Sequence, residues 1–169
     1  MVVLRPGNDE FDPSLITFSQ LSKHNDGFKA DILYNDSPLY YQFNDCIVEH
    51  GSDENSYVVK NASKDYEFIE QSIRERLVEE SHNMFKRGFT EDVLIRMQQA
   101  NYWLDREYTD VKTYSKTGRL SNFRAGESDV IFKCCCVYFE QSSWELVWRL
   151  IQIRQEEVDE VDSNYLFVD

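Results

Sequence analysis

The sequence predicts one α+β domain, rich in strands, in which two helices separate two groups of strands. Of the 169 residues, 41% are hydrophobic and 14% are aromatic, which suffices for the packed core of a single domain. Eleven Phe and ten Tyr, against six Gly and three Pro, favour strands over a low-complexity chain. Strand-like alternation dominates towards both ends of the chain, whereas helical spacing of apolar residues marks the middle.

The first third of the chain is predicted to form a meander of strands. The segments with strand-like composition are SLITFSQL (14–21), FKADILY (28–34), LYYQFNDCIVEH (39–50) and SYVVK (56–60). In the second of these segments the residues that alternate along one face are Phe28, Ala30, Ile32 and Tyr34. The turn sequence NDSP follows it directly and predicts a tight reversal of the chain.

Two helices are predicted in the middle of the chain. Ser63 is a candidate N-cap, and the apolar residues at helical spacing after it are Tyr66, Ile69, Ile73 and Leu77. After a break at Gly88, Thr90 is expected to cap a second, shorter helix that runs to Leu104. The residues of this helix that should face inward are Val93, Leu94 and Met97.

Strands return in the last third of the chain. The predicted order is a strand YTDVKTY (108–114), a polar loop SKTGRLSN (115–122), a long strand SDVIFKCCCVYF (128–139), a link QSSW (141–144) and a closing strand ELVWRLIQIR (145–154). The composition changes after Gln155, where acidic residues begin to dominate. We therefore divide the chain into a domain of residues 1–155 and an acidic tail of residues 156–169.

The acidic tail holds a large share of the negative charge, which is −13 for the whole chain. Its acids are Glu156, Glu157, Asp159, Glu160, Asp162 and Asp169, and it contains no base. Such a composition is typical of disordered, solubilising segments, yet the tail ends in the apolar residues around Phe167. An acidic arm with an apolar tip predicts docking on a basic partner, or competition with phosphate for cations of the same chain.

Residues 111–126, VKTYSKTGRLSNFRAG, are basic in an otherwise acidic chain. They contain no acid, and their cations are Lys112, Lys116, Arg119 and Arg124, with Tyr114 and Phe123 among them. Cations attract phosphates and aromatic rings stack on bases, so this segment is a candidate binding site for a single nucleic-acid strand. The alternative is an ordinary solvated loop, and the acidity of the whole chain counts against non-specific binding of duplex DNA.

Catalytic, metal-binding and membrane-spanning motifs are not found in the sequence. It lacks a Gly-rich phosphate loop and a nucleophile elbow, so we expect neither an enzyme nor a cofactor. Cys134, Cys135 and Cys136 are consecutive, so on a strand Cys135 should point away from the other two, which does not suit a metal site. The longest apolar run is about half the ~20 residues of a membrane-spanning helix. These features favour an intracellular protein in a reducing compartment.

Three parts of the chain resemble a known family. SPLYYQF (37–43), the helix around residues 69–77 followed by Phe85, and the closing hairpin of residues 126–154 are similar to OB-fold single-stranded DNA-binding proteins of large DNA viruses and short-tailed phages. The resemblance implies a five-stranded β-barrel with the two helices inserted between strands and a disordered acidic tail. It also implies sequence-independent binding of single-stranded DNA during replication, recombination or repair. Binding of RNA in place of DNA, and assembly of the protein as a homodimer, are left open.

The residues of the chain independently supply candidate groups for such binding. The cations Lys112, Lys116, Arg119 and Arg124 would contact phosphates, and the rings of Tyr114, Phe123 and Tyr40 or Tyr41 would stack on bases. In the tail, the acids from Glu156 to Asp162, together with Phe167, would contact replication proteins. A viral protein would act in the host nucleus or cytoplasm. The alternative is an acidic viral protein-interaction module that binds no nucleic acid.

Overall fold

The computed structural model describes residues 3–4, 11–61, 66–99 and 104–156. The strands are β1 (Val3–Leu4), β2 (Ile16–Phe18), β3 (Ser22–His24), β4 (Gly27–Tyr34), β5 (Ser37–His50), β6 (Tyr57–Asn61), β7 (Glu107–Tyr108), β8 (Lys112–Ser115), β9 (Gly126–Glu140) and β10 (Ser143–Gln155). The helices are α1 (Tyr66–Phe85) and α2 (Glu91–Met97), and residues 13–15 form a short 3-10 turn. The predicted strand-rich α+β fold, with two helices between two groups of strands, is confirmed.

The strands form an open mixed sheet, so the expected closed five-stranded barrel is wrong. The order is β7-β6-β5-β4-β9-β10-β8, with β1 beside β5 and with β2 and β3 beside β4. Two pairs are parallel, β1 with β5 and β8 with β10, and the other pairs are antiparallel. Closure of a barrel would require the edge strands β7 and β8 to pair. Instead, the backbone N–H of Ser121 donates to the carbonyl of Thr113 at 3.0 Å. The residues after β8 therefore occupy the edge of β8 that faces away from β10.

The sheet nevertheless curls strongly, because its two edge strands are consecutive in the chain. Residues 109–111 alone connect β7 to β8. Asp110 in this connection has a φ of 59°, which ends the extended conformation, so the predicted single strand over residues 108–114 is split in two. The ring of Tyr108 on β7 lies 5.5 Å from that of Phe132 on the central strand β9. The edge of the sheet therefore folds back over its own middle.

The core lies inside this curl, under α1. Ile69, Ile73 and Leu77 of α1 are fully or almost fully buried, which confirms three of the predicted inward positions. The fourth, Tyr66, has a side chain outside the described residues. Phe43 on β5 and Phe132 on β9 are both 0% exposed, and their ring centroids lie 6.0 Å apart. Large aromatic side chains of this kind contribute most of the apolar area that a core buries.

α2 is shorter than predicted but is capped and docked as its sequence suggests. The hydroxyl of Thr90 accepts from the backbone N–H of Val93 at 3.3 Å, which confirms the predicted cap. The helix ends at Met97, with Leu94 buried against the core. The indole N–H of Trp144 donates to the carbonyl of Leu94 at 2.7 Å, and this bond is buried. Trp144 therefore ties the end of α2 to the start of β10. None of the described helices has the length and apolar character needed to cross a membrane.

A register shift between β9 and β10 changes the expected directions of the three cysteines. Cys134 pairs with Trp148, and Cys136 pairs with the adjacent Val147, so Cys135 is an extra residue opposite a continuous partner strand. Cys134 is 0% exposed in the core, whereas Cys135 and Cys136 both line a pocket on the other side of the sheet. All four cysteines are free thiols.

Replacing Phe132 by alanine should destabilise the protein far more than the same replacement at Phe28. Phe132 is fully buried among other rings, so its loss leaves a cavity and should reduce the free energy of unfolding by about 3–5 kcal/mol. Phe28 is 51% exposed, so Phe28→Ala should change the free energy of unfolding by about 0.5 kcal/mol or less. Urea unfolding followed by tryptophan fluorescence measures both, and equal losses would contradict this assignment of the core.

Candidate nucleic-acid interface

The side of the sheet that faces away from the core carries three rows of neighbouring side chains. β9 lies between β5 and β10, and β8 follows β10. Residues paired across these strands lie on the same face of a sheet, about 4.5–5.5 Å apart. The first row is Tyr40, Lys133 and Arg149; the second is Gln42, Ile131, Gln152 and Lys112; the third is Asp129, Arg154 and Tyr114. We refer to these ten residues as the outer face.

The outer face is cationic in a chain whose net charge is −13. Its cations are Lys112, Lys133, Arg149 and Arg154, and its one carboxylate is Asp129. The guanidinium of Arg154 donates to Asp129 at 2.6 Å and 3.1 Å, which orders this arginine beside Tyr114. The other three cations have no ion-pair partner within the described part of the chain. The outer face therefore keeps an excess of positive charge that is available to an anionic ligand.

Two tyrosines lie at opposite corners of the outer face. Tyr40 is half-buried in the first row, beside Lys133. Tyr114 is half-buried in the third row, beside Arg154. A half-buried ring is held in place by its neighbours while part of its surface stays open for stacking on a base. The sequence-based candidates Tyr40, Lys112 and Tyr114 are thus brought together.

Three other sequence-based candidates lie at the margin of the outer face. Lys116 and Arg124 line a cleft of about 450 Å³ that also contains Arg154, whereas Arg119 is exposed on the hairpin after β8. This cleft also contains carboxylates, which are Asp45, Glu127, Asp129 and Glu156. A second cleft of about 390 Å³ includes Gln42, Tyr114 and Ile131 and shares Lys116 and Arg154 with the first. Together the two clefts extend the third row of the outer face into a groove of mixed charge.

The structure removes two aromatic residues from the candidate set. Tyr41 is 3% exposed and its ring centroid lies 4.8 Å from that of Phe43, so it belongs to the core. The reason is alternation along β5, because Tyr40 faces outward and its neighbour must face inward. Phe123 packs edge to face against His50 at 4.8 Å and Tyr57 at 4.9 Å, away from the three rows. Neither ring is placed to stack on a base bound to the outer face.

Gln155, the last residue of β10, holds the segment before β9 against the sheet. Its side-chain oxygen accepts from the backbone N–H of Arg124 at 3.1 Å, and its amide nitrogen donates to the carbonyl of the same residue. The amide nitrogen also donates to the Ser128 hydroxyl at 2.9 Å. Arg124 is therefore fixed through its backbone while its side chain stays exposed.

The first acid of the tail contacts this region. The Glu156 carboxylate lies 3.6 Å from the Lys116 ammonium, and both side chains are largely exposed, so the pair contributes little stability. The other tail residues assigned a role, which are Glu157, Asp159, Glu160, Asp162 and Phe167, lie outside the described residues. The predicted docking or competing role of the tail therefore remains a prediction.

Sequence inspection missed Lys133, Arg149 and Arg154, because each lies outside the basic segment as an isolated cation in a largely apolar strand. Lys133 is the one charged residue of the apolar segment VIFKCCCVYF, which is a signal that its side chain faces outward. Arg149 and Arg154 stand among apolar residues of the closing strand in the same way. What could not be derived was their neighbourhood, since it depends on the register of β9 with β5 and β10.

The described residues contain no group of three His, Cys, Asp or Glu side chains arranged to hold a metal ion. Comparison with protein-family models, with curated proteins and with solved structures finds no match to the chain.

Proposed function

We propose that the protein binds single-stranded nucleic acid, DNA in the first instance, on the outer face and without catalysing a reaction. One observation carries the proposal: register places four cations and two tyrosines together on one sheet surface of an acidic chain. Lys112, Lys133 and Arg149 would contact phosphates, and Tyr40 and Tyr114 would stack on bases. Stacking contributes on the order of 1–3 kcal/mol per base and tolerates any sequence.

The curled sheet surface suits a single nucleic-acid strand better than a duplex. The cations lie on three neighbouring strands and in adjacent rows, so they suit a flexible backbone that can follow the surface better than the fixed groove of a rigid helix. The half-buried tyrosines need unpaired bases whose faces are accessible. The same surface is an acceptable candidate for single-stranded RNA, which offers the same phosphates and base faces.

The resemblance to OB-fold single-stranded DNA-binding proteins is part of the proposal. The order of strands, two helices and strands is compatible with it, and the open sheet departs from its closed barrel. A role in replication, recombination or repair rests on that resemblance alone. A protein-interaction module is the alternative, and Leu120, which is 70% exposed beside Arg119, is the feature that favours it.

Charge reversal on the outer face should abolish most of the binding. Lys133→Glu and Arg149→Glu each remove a phosphate contact, so each should weaken binding of a fluorescent oligo(dT) by about tenfold or more and reduce the salt slope by about one. Arg96→Glu on α2 is the matched control, because Arg96 is exposed and lies outside the three rows. Fluorescence anisotropy at several salt concentrations measures all three. Unchanged affinity in Lys133→Glu and Arg149→Glu would exclude the outer face as the binding site.

Removal of either tyrosine ring should weaken binding without changing its salt dependence. Tyr40→Ala and Tyr114→Ala should each reduce the affinity for oligo(dT) by about fivefold to a hundredfold, as expected for one lost stack. Tyr40→Phe and Tyr114→Phe keep the ring and should bind like the unaltered protein. Equilibrium titrations decide this, and an equal loss in the alanine and phenylalanine variants would argue against stacking.

Neutralising the acidic tail should strengthen binding if the tail competes for the cations, as the contact between Glu156 and Lys116 suggests. A full-length variant with amides in place of Glu157, Asp159, Glu160 and Asp162 should bind oligo(dT) more tightly at low salt. The difference should fade at high salt, because screening weakens both the tail and the phosphate contacts. Unchanged or weaker binding at low salt would show that the tail does not compete.

A further inference from the structure

A third aromatic group lies further along β9, beyond the first row of the outer face. Tyr138 pairs with Lys29 on β4 and with Glu145 on β10, and all three are neighbours across the sheet. The ring of His24 meets that of Tyr138 edge to face, with 5.8 Å between centroids. Lys29 and Tyr138 are both half-buried. This group therefore combines a cation with aromatic rings, as the outer face does, and it also contains the Glu145 carboxylate, with Asp26 and Glu140 close to Tyr138.

This group lines a pocket of about 400 Å³. Its lining residues are His24, Asn25, Lys29, Cys135, Cys136, Tyr138, Glu145 and Val147. The pocket exists because Cys135 is the extra residue of the register shift, which interrupts the even pairing of β9 with β10. Aromatic and apolar walls with a few polar groups at the rim are usual in a pocket that holds a flat organic ring.

The pocket is also electrostatically continuous with the outer face. The positive charges of Lys133, Arg149 and Lys29 oppose the increase in pKa that burial causes at the Cys135 thiol, whereas the Asp31 carboxylate adds to that increase. Burial raises the pKa of Cys136 to about 11, so this thiol stays neutral at physiological pH. The two thiols of the pocket are thus uncharged. Lys133 and Arg149 lie on one side of them, and Lys29 lies on the other side together with the carboxylates of Asp31 and Glu145. Lys29 is therefore the group beyond the thiols that could contact a phosphate.

On the basis of the proposed function, we infer that the pocket is a base-binding subsite. It would hold a base at the end of the bound nucleic acid that extends beyond the first row of the outer face. A base would enter it against Tyr138 and His24, and Lys29 would contact the adjoining phosphate. From the third row at Asp129 to Tyr138, β9 spans roughly 30 Å at about 3.3 Å per residue. That length corresponds to roughly nine stacked nucleotides at 3.4 Å each, or fewer in an extended strand. Short strands would occupy the outer face alone, and longer ones would also reach the pocket.

The test compares oligo(dT) of about four nucleotides with oligo(dT) of about ten, within the site sizes usual for single-strand binders. Tyr138→Ala should weaken binding of the longer oligonucleotide by about fivefold or more and leave the shorter one unchanged. Tyr138→Phe should bind both like the unaltered protein. Lys29→Glu is a second variant, which leaves the aromatic pair intact. It should also weaken binding of the longer oligonucleotide only, and it should lower the salt slope of that binding by about one.

The outcomes separate the subsite from the proposed function. Tyr40→Ala alters the outer face, so it should weaken binding of both oligonucleotides and serves as the positive control. If Tyr138→Ala and Lys29→Glu leave the longer oligonucleotide unaffected, or weaken both lengths equally, the subsite is overturned while the proposed function stands. If neither oligonucleotide binds the unaltered protein at low salt, the proposed function fails, and the subsite fails with it.

Discussion

The structure depends on the backbone pairing of β9. This strand forms hydrogen-bonded ladders with β5 and β4 on one side and with β10 on the other, so it joins the first group of strands to the last. Its inward residues, Val130, Phe132 and Cys134, are at most 1% exposed and form the centre of the core. Because successive side chains of a strand alternate, the same pairing also determines which residues lie together on the outer face. Stability and the candidate site thus share one constraint.

The irregularities of this pairing shape the surface as much as its regular parts do. The extra residue Cys135 on β9 opens the pocket beside Tyr138, and a second shift places Ile151 as an extra residue on β10. On β5 the shift between Phe43 and Cys46 includes Asp45, whose φ of 56° turns the strand where the first cleft begins. Register shifts bend and twist a strand locally. The pocket beside Tyr138 and the first cleft both lie at such shifts.

Sequence reasoning predicted the fold class because the signals for it are local. The spacing of Ile69, Ile73 and Leu77 and the cap at Thr90 depend on residues a few positions apart, and they were found where predicted. The closed barrel was wrong because closure depends on which strands meet at the edges, and no local pattern encodes that. The site was predicted in part for the same reason. Lys112 and Tyr114 belong to one basic segment, whereas Lys133 and Arg149 join them only through pairing of distant strands.

The acidity of the whole chain does not count against a local anion-binding surface. At physiological ionic strength the Debye length is about 8 Å, so a phosphate on the outer face interacts mainly with charges in its own row and the next. The cations there lie in adjacent rows on neighbouring strands, while the other acids of the first cleft lie at the margin of the third row, where Asp129 is already paired with Arg154. Distant acids still lower the association rate of a long polyanion, because their electric field repels it before contact. An acidic chain with one cationic face should therefore favour short exposed stretches of single strand over the dense charge of a duplex.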